Sequence, residues 1–186
     1  MIEVRPGGRR RIDRVLAPEY LAGIEDRPLV EVRQLRDEAA QEETDLSYVR
    51  RLLHGRIDIV RAEQQRRIDG ESATVVERLA KILAENAVGP TTGFGRHSTL
   101  EPSRAEAHRR YVEALVSDVD LSDVTSLPDD KLAAVLGTYQ VEESSISERR
   151  RQVQVVVDTG NAEIARRYAQ GSASVDELLD AERDRP

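Results

Sequence analysis

Ten polar residues of this 186-residue chain fall at matched positions one hundred residues apart. Residues 42–58 read EETDLSYVRRLLHGRID and residues 142–158 read EESSISERRRQVQVVVD. Glu43, Ser47, Arg50, His54 and Asp58 thereby align with Glu143, Ser147, Arg150, Gln154 and Asp158. Steps of 4, 3, 4 and 4 residues keep each set within about 80° of arc on a helix turning about 100° per residue. Each set is one stripe, and it lies beside the apolar positions of its segment rather than opposite them. Charged stripes are commonly solvated flanks laced by pairs one turn apart. Such decoration needs only opposite signs; it does not need serine at one step and an amide or imidazole at another, twice over.

The residue types suggest what the stripes would hold. Antiparallel pairing centred on them brings Arg50 towards Arg150, with Arg51 and Arg151 close by and no obvious neutralising acid at that level. Like charges so placed repel, which calls for an anion at the centre. The arrangement also has an approximate two-fold axis. Arginine forks onto phosphate or onto the O6 and N7 edge of guanine, and carboxylates accept from the guanine N1 and N2 donors. Serine, Gln154 and His54 bridge either kind of group. A cyclic dinucleotide of guanine meets each requirement.

Two long helices must carry the stripes. From Leu29 to about residue 69 the only weak helix former of note is Gly55, and Pro28 marks the start. Val32, Leu35, Ala39, Leu46, Val49, Leu53 and Val60 form a seam of 3,4 spacing flanked by Ile57, interrupted at Glu42 and Arg56. A second helix over about 128–169 places Leu132, Val135, Tyr139, Ile146, Val153, Val157 and Ile164 on one side, with Gly160 and Asn161 as a weak point. Helices of about forty residues would be about 60 Å long.

The remaining segments read as follows. Residues 1–12, with Pro6, Gly7, Gly8 and the run Arg9 to Arg11, suggest a basic flexible arm. Residues 13–169 read as one helical domain whose connector, about 72–127, carries short helices, and 170–186 as a tail with a short helix. GFG at 93–95 lacks the lysine and Ser/Thr of a phosphate loop, so a plain turn is expected. No segment alternates convincingly as a strand. The expected fold is all-α: a long antiparallel two-helix coiled-coil hairpin with small helices in the intervening segment.

Composition narrows the function classes. Charged residues make up 34% and aromatics 3%, without tryptophan or cysteine, so a thin aliphatic core is expected and thiolate metal sites and disulfides are excluded. A net charge of -7 argues against general nucleic-acid binding and favours a basic protein partner. No apolar run reaches the length of a signal peptide or membrane span, so a cytoplasmic protein is expected. His54, His97 and His108 lack metal-binding spacing and no nucleophile and base pair stands out, which disfavours an enzyme.

The stripes resemble the signature of the RsiG family, actinobacterial anti-sigma factors that sense cyclic di-GMP, whose motif is a Glu, Ser, Arg, Gln, Asp series at this spacing on antiparallel coiled-coil helices. The second copy matches at all five positions; the first departs at His54, where the motif has Gln. The resemblance implies that cyclic di-GMP, as two molecules, binds between the helices through the ten residues and lets the protein sequester a sporulation sigma factor of the WhiG type from RNA polymerase. It implies neither a metal nor direct nucleic-acid binding. A ligand-independent structural or adaptor coiled coil is the competing reading.

Overall fold

The computed structural model describes residues 3–70 and 121–171. Among them every regular element is helical: α1 (Arg11–Val15), a 3-10 turn (Ile24–Asp26), α2 (Leu29–Asp69), a second 3-10 turn (Leu121–Ser126) and α3 (Asp129–Ala169). The expected short helices between 72 and 120, the GFG turn, His97, His108 and the short C-terminal helix lie outside the described residues.

Both long helices have 41 residues and begin directly after a proline. Proline has no N–H to leave unsatisfied at a helix start, and its carbonyl remains available. Pro28 O accounts for the Val32 N–H at 3.1 Å and Pro128 O for that of Leu132 at 3.0 Å. Gly70 and Gly171 follow the helix ends with φ of 63° and 68°, the left-handed conformation that lets the chain turn away. Nothing interrupts α3 at Gly160 and Asn161, where the sequence suggested weakness.

The chain forms two compact units, and each contains a portion of both long helices. Among the described residues, one unit comprises 44–70 and 121–147; the other combines 3–43 with 148–171. In the first, α2 and α3 run antiparallel, with Arg67 bonded to Asp129 at 2.5 Å and Arg50 to Glu143 at 3.1 Å. Leu46, Val49, Leu53, Ile57 and Val60 are buried there, as are Leu132, Tyr139, Ile146 and Val124. Leu52, one position from the seam, is exposed.

The second unit is antiparallel as well: Arg33 bonds the Tyr168 hydroxyl, and Arg150 bonds Glu43. Its buried apolar residues are Val32, Ala39, Val153 and Val157, joined by Ile12, Val15 and Ile24 from the N-terminal segment. Leu35, Val135 and Ile164, placed on the seams by spacing alone, are half-buried. Gly160 is buried, and a Cβ there would lie 3.0 Å from Arg36 Cβ, so its lack of a side chain permits close approach.

The basic N-terminal segment makes specific contacts. Asp13, 3% exposed, accepts from Arg5 N at 2.8 Å and from Arg10 Nε and NH2 at 2.8 and 2.7 Å. Hydrogen bonds from Arg10 lead the causes that hold the Asp13 carboxyl down at about 2, against the opposing effect of burial. Arg11 Nε then reaches buried Glu42 at 2.7 Å, which explains how an acid is tolerated in the α2 seam.

Each unit also closes one helix end with the same device. Glu63, fully buried, accepts from Arg66 Nε at 2.8 Å and Arg67 Nε at 2.6 Å, and Arg67 NH2 reaches Thr125 O at 3.0 Å. In the other unit Glu163 accepts from Arg166 Nε at 2.8 Å and Arg167 Nε at 2.6 Å. Arg167 goes on to Arg27 O at 2.7 Å and Ile24 O at 2.8 Å. A carboxylate thus aims each arginine at the turn preceding the other long helix.

Candidate functional site

In the first unit the motif residues meet at one oxygen. Glu143 Oε1 lies 3.1 Å from Arg50 Nε, 3.1 Å from His54 Nε2 and 2.7 Å from Ser147 Oγ. Arg50 and His54 come from α2, Glu143 and Ser147 from α3, so the antiparallel packing of the helices assembles the cluster. Burial pushes the Glu143 carboxyl up, but the hydrogen bonds from Ser147 and Arg50 and the nearby charges outweigh it, leaving a net downward shift. Glu143 is therefore an ionised acceptor at neutral pH. Ser47 and Asp58 flank the cluster on α2, and both are half-buried.

The second unit holds the related cluster with a different detail. Arg150 NH1 donates to Glu43 Oε1 at 2.9 Å. One turn on, Gln154 Nε2 donates to Asp158 Oδ1 at 2.9 Å. The Arg150 Nε is buried and has no hydrogen-bond partner. A buried donor left unsatisfied is costly, and at the centre of a polar stripe it offers a hydrogen bond still to be made.

These contacts correct one expectation. Arg50 and Arg150 were expected to lack neutralising partners, yet each is bonded to the motif glutamate of the other copy. The helix register sets Arg50 beside Glu143 and Arg150 beside Glu43. Repulsion between uncompensated arginines therefore does not describe this structure. What remains is two half-exposed Arg–Glu pairs on polar flanks, with arginine side chains 39% and 34% exposed.

The repeat extends beyond residue 58: the same offset of one hundred matches Glu63, Arg66 and Arg67 with Glu163, Arg166 and Arg167. That signal could have revealed the helix-end clasps, which reading the motif stripes alone missed. Asp13 was missed too, because its role depends on the fold of the N-terminal segment. No group of three or more His, Cys, Asp or Glu suited to a metal ion lies among the described residues.

Comparison with known families gives a match to the RsiG-like family over residues 18–83 and 118–182. The chain belongs to the RsiG-like family. The matched segments contain all ten motif residues, both clasps and both long helices. RsiG-like proteins are regulatory anti-sigma factors, so this chain is an anti-sigma factor in the broad sense, with a sigma factor as its partner. No curated protein matches the chain. No described helix is long and apolar enough to cross a membrane.

Proposed function

We propose that this RsiG-like protein is a cytoplasmic anti-sigma factor whose hold on a sporulation sigma factor of the WhiG type depends on cyclic di-GMP bound at the two motif clusters. The observation that carries the reading is the pair of reciprocal contacts, Arg50 with Glu143 and Arg150 with Glu43, which puts a guanidinium fork and a carboxylate acceptor side by side in each unit. Arginine suits a phosphate or the guanine O6 and N7 edge, and glutamate suits the guanine N1 and N2 donors. Ser47, Ser147, Gln154, His54, Asp58 and Asp158 supply further donors and acceptors along each stripe. The unpartnered Arg150 Nε supports the fit.

Two ligand molecules would bring four phosphate charges and the flat stacking surface that a chain with 3% aromatic residues lacks. The protein residues fix the orientation of those groups, and the ligated helices complete the surface that grips the sigma factor. Reciprocity follows: the sigma factor strengthens cyclic di-GMP binding by the factor with which the ligand strengthens sigma binding.

The competing reading is a ligand-independent coiled coil, favoured by the fact that Arg50 and Arg150 already have partners within the chain. Titration of cyclic di-GMP into the wild type and the Arg150→Ala variant, each with and without a WhiG-type sigma factor, separates the two. Saturable wild-type binding that is weakened in the variant supports the proposal. Absence of wild-type binding in both conditions leaves the ligand-independent reading.

A further inference from the structure

His54 and Gln154 occupy the same step of the two stripes but do different things. His54 Nε2 faces across to Glu143 Oε1 at 3.1 Å, on an oxygen shared with Arg50 and Ser147. Gln154 instead turns along its own helix to Asp158 at 2.9 Å. The first contact joins the motif cluster across two helices, and the second does not. Imidazole changes charge near neutrality, whereas the amide carries no charge at any ordinary pH.

The groups facing His54 define what protonation would do. From α3 come the Glu143 carboxylate and, behind it, the Ser147 hydroxyl; from α2 come Arg50 one turn before and Asp58 one turn after. With neutral imidazole, the Arg50 and Glu143 charges cancel. Asp58 then leaves one net negative charge, which protonation of His54 would neutralise; the imidazolium would stay beside Glu143 and partly open to solvent, since the His54 side chain is 44% exposed.

We infer that His54 makes this cluster a proton-linked anion site, so that ligand binding in one unit, and not in the other, is accompanied by proton uptake. The inference rests on the reading of the clusters as cyclic di-GMP sites. An anion placed beside the imidazole favours its protonated form, and by linkage protonation favours the anion. Phosphodiesters stay ionised and guanine stays neutral between pH 6 and pH 8, so the ligand itself contributes no titration in that range.

The test is calorimetric titration of cyclic di-GMP into the full chain with its sigma factor at pH 6 and pH 8, in two buffers of different ionisation enthalpy. Wild type is expected to bind about five-fold more tightly at pH 6, with net proton uptake. His54→Gln, which installs the amide of the other copy, is expected to lose both the pH dependence and the uptake. Gln154→His is expected to add uptake at the second cluster. Thermal unfolding by circular dichroism establishes that both variants fold.

Equal pH responses in wild type and His54→Gln, or tighter binding at pH 8, would overturn the proton linkage while leaving the ligand reading intact. No binding by wild type at either pH would remove both.

Discussion

Arg150 donates to Glu43 through one terminal nitrogen, while its Nε, shielded from solvent, has no acceptor. One side chain thus combines a satisfied ion pair with an unsatisfied donor. Half-exposed ion pairs contribute little to folding, about 0–1 kcal/mol, whereas charge-assisted hydrogen bonds to a bound ligand are worth about 1.5–3 kcal/mol. Arg150→Ala should therefore cost under about 1 kcal/mol in chemical denaturation and weaken cyclic di-GMP affinity by about ten-fold or more. A large stability loss with unchanged affinity would show that Arg150 is a folding residue.

Acid should loosen the two helix-end clasps and the Asp13 turn. The Glu63 and Glu163 carboxyls are each held down to about 2 from 4.5, led by hydrogen bonds from Arg66 and Arg166 respectively. Asp13 is lowered from 3.8 to about 2. Folded values below unfolded ones mean that the stabilisation is complete above the unfolded value and disappears as pH falls through the folded value. Melting temperature should be steady from neutral pH to about pH 5 and then fall steadily towards pH 2. Glu63→Gln should melt lower at neutral pH and show a shallower acid slope.

Two helical glycines should respond oppositely to alanine. Gly137 is exposed, and a Cβ built on its backbone would meet nothing within 4 Å, so Gly137→Ala should stabilise by about 0.5–1 kcal/mol through helix propensity. Gly160→Ala gains the same propensity but sets a methyl 3.0 Å from Arg36 Cβ. Denaturant midpoints should rise for the first variant and not for the second.

Tyr139 is fully buried in the seam, and its hydroxyl has no partner. Burial also pushes the phenol's pKa upward, with the charge of Arg56 opposing. Removing an unsatisfied buried hydroxyl relieves a desolvation penalty, so Tyr139→Phe should be neutral or stabilising by up to about 1 kcal/mol. Tyr139→Ala should cost about 3–5 kcal/mol, the usual loss for a large buried aromatic. Equilibrium urea unfolding of both variants checks the contrast.

The long helices were legible because their punctuation is local: proline before Leu29 and Asp129, apolar residues every three or four positions, and glycine beyond Asp69 and Ala169. The motif stripes were legible for the same reason, since residue spacing along one helix fixes which side chains share a face. Register between two helices is not local. Nothing in the order of residues sets Arg50 beside Glu143, and the expectation of unpaired arginines failed there. The ordered contacts of Arg10 and Arg11 were hidden similarly, because their acids, Asp13 and Glu42, act through the folded N-terminal segment. The clasps were written in the repeat but lay beyond the motif that drew notice.

The glutamates beside Arg50 and Arg150 belong to the same covalent chain as the arginines they hold. Each acts as a tethered competitor, present at an effective concentration on the order of millimolar or more and unable to diffuse away. A small anion offering one contact must displace that resident and gains little by doing so. A molecule that engages arginine and glutamate together replaces both halves of the pair at once. On the proposed reading of the clusters as ligand sites, the crossed pairs would set an entry threshold that screens out ordinary anions and favours ligands presenting acceptor and donor edges side by side.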